Sequence, residues 1–180
     1  GRVFCGTIGL GIGLGRLYRL DQDGSIRVVL DGIGCSNGIA WTTDLSQMYY
    51  TDSSAGTIWL FDYDRPTGEI TNQRVFKKFG ESEGGAPDGL TVDAEGNVWS
   101  AVWGGGCVIC FAPDGSEVNR IITTSPATTC PTFGGPELKE LYITSSRHAE
   151  KSPEDAGALY HARPGATGRP EFLSRVRFSK

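Results

Sequence analysis

Two polar residues, Asn37 and Asp88, stand at equivalent places in two similar stretches of the sequence. Each is followed by a glycine and a short apolar run, residues 38–41 in the first stretch and 89–92 in the second. Segments that repeat this closely should occupy equivalent places in one architecture, so we expect both side chains to point into the same space. An amide oxygen and a carboxylate that converge suit a hard divalent cation, and the carboxylate can also act as a general base. Asn-Gly and Asp-Gly are also common turn dipeptides, so spacing alone leaves a structural role open.

The elements that would position these residues are short strands in a repeated four-strand pattern. One copy covers residues 35–79 and a second covers 86–123, with turn-forming residues at the joints. A weaker third copy covers 128–178, and residues 1–34 supply three strands of another. The predicted strands are 2–7, 16–20, 26–30, 38–41, 47–51, 57–62, 73–79, 89–92, 97–102, 107–112, 117–122, 132–133, 140–145, 158–162 and 171–175. An aromatic residue recurs about every 40 to 50 residues, the period of a propeller blade, at Phe4, Tyr49, Trp99 and Tyr142.

This pattern predicts an all-β protein that forms a single partial β-propeller domain, with three whole blades and three strands of a fourth. The high glycine content, 26 residues, agrees with many turns and short strands. A propeller hides its sheet edges by closing into a ring, whereas an open stack would leave both ends bare. We therefore expect residues 1–180 to be the C-terminal part of a longer ring, completed by a missing N-terminal segment or by a second chain.

Composition and charge exclude several functional classes. The net charge of −4 gives no basic surface for nucleic acid, and no apolar run approaches the roughly 20 residues that span a bilayer. Five cysteines, without the dense spacing of a small secreted scaffold, predict reduced thiols and a cytoplasmic protein. Cys107 and Cys110 lie in a strand-like run where residues three apart face opposite ways, which favours a structural role over a redox or zinc motif.

A series of short motifs resembles the gluconolactonase and regucalcin (senescence marker protein) family in order and spacing. The motifs are Ser36-Asn37-Gly38 with Trp41, Tyr49-Tyr50-Thr51-Asp52-Ser53, Phe61-Asp62-Tyr63-Asp64, Thr67-Gly68-Glu69-Ile70, Pro87-Asp88-Gly89, Asp93-Ala94-Glu95-Gly96, Trp99 and Phe133-Gly134-Gly135. The resemblance implies a six-bladed β-propeller, in a family whose members include sugar-lactone hydrolases. It also implies a divalent cation in the central channel, calcium or zinc in the first place, with manganese or magnesium as further options.

The resemblance further implies that Asn37 and Asp88 are two of three protein ligands of that cation, and that Asp88 is the catalytic base. The third ligand of the family, a Glu near its N-terminus, has no counterpart in this sequence. The Arg and Asn that bind substrate in the family are absent too, and a further acidic position falls near Gly11, where nothing is acidic. We therefore expect an active parent protein and an impaired chain, because two protein ligands hold a cation weakly.

In the intact protein the cation would polarise a lactone carbonyl while Asp88 accepts a proton from the attacking water. Residues 128–130 fall near the corresponding place in the third copy. There Thr129 could face the cavity and contact substrate, or serve only in a turn. Trp103, beside three glycines, is the tryptophan expected to reach the channel mouth, where it could contact substrate.

Two other functional classes stay open beside the lactonase. One is a calcium-binding regulatory propeller that uses the same residues without turnover, and the other is a propeller that binds proteins by its faces. In favour of a protein-binding propeller, residues 49–52 slightly resemble extracellular receptor repeats. We expect His148 to lie in a solvated connection rather than a lid and His161 to be a packing or surface residue. Ser36 has no His partner in the sequence that would support a serine-nucleophile triad.

Overall fold

The computed structural model describes residues 1–9, 13–147 and 153–172, and these residues form an almost purely β structure. The only helical element among them is a single short 3-10 helix, Glu81–Glu83. The strands are β1 (Val3–Gly6), β2 (Gly15–Leu20), β3 (Ile26–Ile33), β4 (Ser36–Trp41), β5 (Gln47–Asp52), β6 (Thr57–Asp64), β7 (Glu69–Lys78), β8 (Ala86–Val92), β9 (Val98–Trp103), β10 (Cys107–Phe111), β11 (Glu117–Ile122), β12 (Thr128–Gly134), β13 (Glu140–Ser145) and β14 (Leu159–Ala162). The prediction of an all-β protein is confirmed.

Each sheet is an antiparallel meander in which sequential strands are neighbours. The sheets are β1-β2-β3, β4-β5-β6-β7, β8-β9-β10-β11 and β12-β13-β14. The first strands of the last three sheets lie side by side, β4 against β8 and β8 against β12. This places the starts of three equivalent strands in one region of the molecule, as expected for propeller blades. None of the described residues belongs to a helix with the length and apolar character needed to cross a bilayer.

Several predicted strand boundaries were wrong, and the largest differences are in β12, in β7 and in the last predicted strand. Strand β12 begins at Thr128 rather than at 132, because the backbone of β13 pairs with this polar segment and overrides its turn-like composition. Strand β7 begins at Glu69 rather than at 73, because Ile70 pairs with Tyr63 across the antiparallel ladder. Residues 171 and 172 of the predicted strand 171–175 are not in a strand, and the rest of that segment lies outside the described residues.

Aromatic side chains fill the spaces between the sheets. Tyr49 and Trp99 are each only 2% exposed, so these two predicted anchors are core residues. The Tyr49 ring lies 4.8 Å from that of Phe76, and the Trp99 ring lies 5.8 Å from that of Phe133 in an edge-to-face arrangement. Trp99 and Phe133 belong to β9 and β12, so this contact joins two adjacent sheets.

A second kind of anchor closes the turn between β8 and β9. The Asp93 carboxylate is fully buried and accepts hydrogen bonds from the backbone N–H groups of Glu95 (3.0 Å) and Asn97 (2.8 Å). It also accepts from Asn97 Nδ2 and from the indole Nε1 of Trp99, both at 2.9 Å. One carboxylate therefore satisfies four donors and fixes both the turn and the core tryptophan.

The histidine prediction for β14 is confirmed at the edge of the last sheet. His161 is exposed, its ring lies 5.2 Å from that of Tyr142 in a tilted arrangement, and its Nε2 lies 3.0 Å from Glu140 Oε2. Tyr142 also donates to the same Glu140 oxygen at 2.9 Å. His161 is thus part of a surface cluster on the outer strands. The prediction for His148 lies outside the described residues, as does the position near Gly11.

Candidate functional site

Asn37 and Asp88 lie in irregularities that recur at one place in successive sheets. In β4 the pairing with β5 shifts between Ser36 and Ile39, and in β8 the pairing with β9 shifts between Pro87 and Leu90. We call β4, β8 and β12, the first strands of their sheets, the inner strands. In β4 and in β8, two residues of the inner strand oppose one residue of its neighbour, which is the pattern of a β-bulge. A bulge re-aims the side chain it carries, so both polar residues are turned out of the regular alternation of their strands.

The same irregularity occurs in the last sheet, at Thr129. Thr128 pairs with Ser145 and Cys130 pairs with Thr144, so one extra residue stands between them on β12. Thr129 is therefore the counterpart of the polar residues in β4 and β8, rather than part of a turn. Its hydroxyl lies 2.6 Å from that of Thr144.

Glycines allow the three inner strands to approach one another closely. A Cβ atom on Gly38 would lie 2.6 Å from the backbone nitrogen of Leu90 and 2.8 Å from the carbonyl oxygen of Asp88. A Cβ atom on Gly89 would lie 2.8 Å from the carbonyl oxygen of Thr129. Real Cβ atoms essentially never come so close to backbone, so any larger residue would push the strands apart.

This close approach brings the side chains of Asn37 and Asp88 together. Burial raises the pKa of Asp88 to about 6, while a side-chain hydrogen bond from Asn37 and the backbone N–H of Gly89 oppose the shift. Asp88 is half-buried, so it can still meet solvent or a ligand. A carboxylate with a pKa near 6 is mainly ionised at neutral pH and is a stronger base than an ordinary aspartate.

The backbone that leads into Asn37 is clamped by a second aspartate. Asp52, 6% exposed, accepts hydrogen bonds from the backbone N–H groups of Gly34 and Cys35, both at 3.0 Å, and of Ala55 at 3.2 Å. This carboxylate ties the end of β5 to the two residues that precede Ser36 and Asn37. The start of β4 is therefore fixed in position by its neighbour strand.

The thiols of Cys35 and Cys130 lie near the Asp88 carboxylate. Desolvation raises the pKa of the Cys35 and Cys130 thiols, and the negative charge of Asp88 raises both further. All five cysteines of the chain are unpaired. Trp103 pairs with Ala86, two residues before Asp88, which places it at the same end of this sheet.

Asn37 and Asp88 offer oxygen atoms, the type of ligand that a hard cation prefers, but two residues are too few to complete its coordination. An amide oxygen and a carboxylate are the oxygen ligands that Ca²⁺ and Mg²⁺ prefer, but six or more ligands are usual. Across residues 1–9, 13–147 and 153–172 there is no cluster of three or more His, Cys, Asp or Glu side chains that could hold a metal ion. These two residues could hold a cation only if water or other oxygen groups completed its coordination.

Sequence reasoning missed the residues that support Asn37. Asp52 and Ser53 stood out only as part of a motif, and nothing in their spacing shows that they reach residues 34–37. The signal lies in strand pairing, since Asp52 is the cross-strand partner of Ser36. Ser36 itself accepts a hydrogen bond of 2.7 Å from the Tyr50 hydroxyl. This contact gives Ser36 a structural partner.

Comparison with known proteins gives a consistent result at the level of family, sequence and fold. The model of the family described as SMP-30/Gluconolactonase/LRE-like region matches residues 1–147. Among curated proteins, the pentonolactonase XacC of Haloferax volcanii is 42% identical over 98% of this chain, and the regucalcin of Oryctolagus cuniculus is 34% identical over 96% of it. The chain spans 64% and 62% of the lengths of these two relatives, less than two thirds of each.

A solved structure has the same arrangement of sheets. The calcium-binding protein regucalcin of Agrobacterium tumefaciens superposes with a TM-score of 0.89 at 29% identity. The match covers 98% of this chain and 62% of that one. The chain therefore has the fold of the β-propellers in this group.

Proposed function

The chain belongs to the SMP-30/gluconolactonase/LRE-like family, and from this premise we propose that it is part of a hydrolase that opens sugar lactones with the help of a divalent cation. The observation that supports this proposal is the juxtaposition of Asn37 and Asp88, which occupy equivalent bulges in neighbouring strands. A relative that is 42% identical is named a pentonolactonase, which supports a sugar lactone as the substrate class.

Asn37 and Asp88 would hold the cation, which when bound supplies a Lewis acid for the lactone carbonyl. Asp88 accepts a proton from a water molecule as that water attacks the carbonyl carbon. The new C–O bond forms, the bond from the carbonyl carbon to the ring oxygen breaks, and the proton passes to the ring oxygen to give the open hydroxy acid. Thr129 and Trp103 are the substrate-contacting candidates within this chain, since Thr129 lies on β12, which contacts β8, and Trp103 pairs with Ala86, two residues before Asp88.

Calcium and zinc are the cations that we propose first, with manganese and magnesium as further candidates. The donors are oxygens, which suit calcium, and a solved relative is named a calcium-binding protein. The unpaired cysteines support a reducing compartment, so we propose a cytoplasmic protein. We propose that the rest of a six-bladed ring comes from sequence outside residues 1–180 or from a second chain.

The test is hydrolysis of sugar lactones by this chain and by the protein translated from the complete reading frame. We expect the longer protein to hydrolyse lactone with added cation and to stop when a chelator is added, whereas residues 1–180 alone should be much slower. If the longer protein binds cation but opens no lactone, the calcium-binding regulatory function becomes the better account. If it neither binds cation nor hydrolyses lactone, the result favours the third function, a propeller that binds proteins by its faces.

The pH dependence of hydrolysis should report the ionisation of Asp88. Since burial raises the pKa of this carboxyl to about 6, the base is lost as pH falls through that value. At limiting cation, kcat/KM of the longer protein should decrease about tenfold per pH unit below 6, as expected for one essential ionised group. At saturating cation the midpoint should move to lower pH, because a positive charge favours the carboxylate. A profile that is flat from pH 7 to pH 4 at both cation concentrations would contradict the role of Asp88 as base.

A further inference from the structure

We propose that Ser53 is a positioning residue that orients the amide of Asn37 so that its oxygen, and not its nitrogen, faces the cation. This inference rests on the proposed cation site and adds a residue to it. Asn37 Nδ2 donates a hydrogen bond of 3.2 Å to Ser53 Oγ. The same side chain hydrogen-bonds the Asp88 carboxylate, which can only accept. Both interactions therefore use the nitrogen end of the amide.

The chemistry of the amide explains why such an anchor matters. An Asn side chain presents an acceptor oxygen on one side and two donor hydrogens on the other, and rotation by half a turn exchanges them. Only the oxygen can bind a cation. A group that accepts from Nδ2 on one side therefore keeps the oxygen on the other, as partners of metal ligands do generally.

Ser53 is itself held firmly enough to serve as this anchor. Its backbone N–H donates to the carbonyl oxygen of Cys35 at 2.9 Å, and its own carbonyl accepts from Gly56 at 3.0 Å. The Ser53 side chain also hydrogen-bonds the Cys35 thiol. The adjacent carboxylate of Asp52 fixes Gly34 and Cys35 from the other side. The hydroxyl is thus tied to the segment that carries Asn37.

The experiment measures Mn²⁺ binding to residues 1–180 by water-proton relaxation, which detects weak sites. Ser53→Ala should weaken Mn²⁺ binding about tenfold, the lower end of the range seen when partners of metal ligands are removed. Ser53→Thr keeps a hydroxyl and should restore most of the affinity. Ser54→Ala, which removes the neighbouring exposed hydroxyl, is the matched control and should change nothing.

A double substitution separates orientation of Asn37 from general damage. If Ser53 acts through the amide, Ser53→Ala should have no further effect on Mn²⁺ affinity in an Asn37→Ala background. Equal effects in both backgrounds, or unchanged affinity of Ser53→Ala, would overturn the positioning role while leaving the cation site intact. Absence of Mn²⁺ binding by the unsubstituted chain would overturn the cation site in this chain and this inference with it. Circular dichroism of each variant shows that the compared proteins are folded.

Discussion

Replacing Asp88 by Asn should lower lactone turnover by the longer protein about 1000-fold or more, because the change removes the proposed proton acceptor and the proposed charged cation ligand together. The shape of the side chain is retained, so its neighbours Asn37 and Gly89 stay in place. The measurement is kcat/KM with saturating cation for the unsubstituted and substituted proteins. Asp114→Asn is the matched control, since Asp114 is an exposed turn aspartate whose loss should leave turnover unchanged.

The same substitution should make the protein more stable at pH 7. Because the folded-state pKa of Asp88 is about 6, above its ordinary value of 3.8, the folded protein holds the proton more tightly than the unfolded chain. The contribution of Asp88 to the free energy of unfolding therefore falls as pH rises from about 4 to about 6, where the buried carboxyl ionises. Asp88→Asn removes that cost, worth about 1 kcal/mol after allowance for partial exposure. A large loss of stability would mean that lost turnover reflects misfolding, and retained turnover would refute the role of Asp88.

The largest effect on stability should come from Asp93. Asp93→Ala should lower the free energy of unfolding by about 3 to 5 kcal/mol, since it leaves several buried donors without an acceptor. Among these donors is the indole nitrogen of Trp99, the core residue between two sheets. Urea unfolding followed by tryptophan fluorescence measures the change.

Asp114→Ala provides the comparison for this effect. Asp114 occupies an analogous turn and accepts from the backbone and hydroxyl of Ser116 at 2.9 and 2.6 Å, but it is exposed. Its loss should lower the free energy of unfolding far less than the loss of Asp93, because water replaces the carboxylate. Similar losses for the two variants would show that the buried hydrogen bonds of Asp93 contribute no more than an ordinary turn.

The strand pattern was predictable because each copy repeats the same local rules. Each copy contains alternating apolar residues, turn residues at the joints and an aromatic anchor. Strands with a weak sequence signal of their own were therefore identified by comparison with the other copies. Tyr49 and Trp99 are both buried, as the repeat requires. The equivalence of Asn37 and Asp88 also followed from the repeat, and in the structure these two side chains meet.

What escaped prediction depends on contacts between distant segments. The early start of β12 depends on pairing with β13, and the bulges depend on register, which local sequence does not specify. The roles of Asp52 and Ser53 arise because β5 runs back beside β4 and reaches residues 34–37. Polar residues of this kind look like ordinary loop residues until the neighbouring strand is placed.

The glycines between the inner strands set the distance between those strands, which the proposed ligands Asn37 and Asp88 do not determine. Asn37 and Asp88 belong to different sheets, and Gly38 fixes how closely those sheets approach. In the proposed cation site, the space open to an ion is therefore set by the distance between the two main chains. A substitution at Gly38, which does not contact the ion, would therefore change which ionic radius the proposed site prefers. Exchanging one oxygen ligand for another would change the charge of the site but not the distance between the strands.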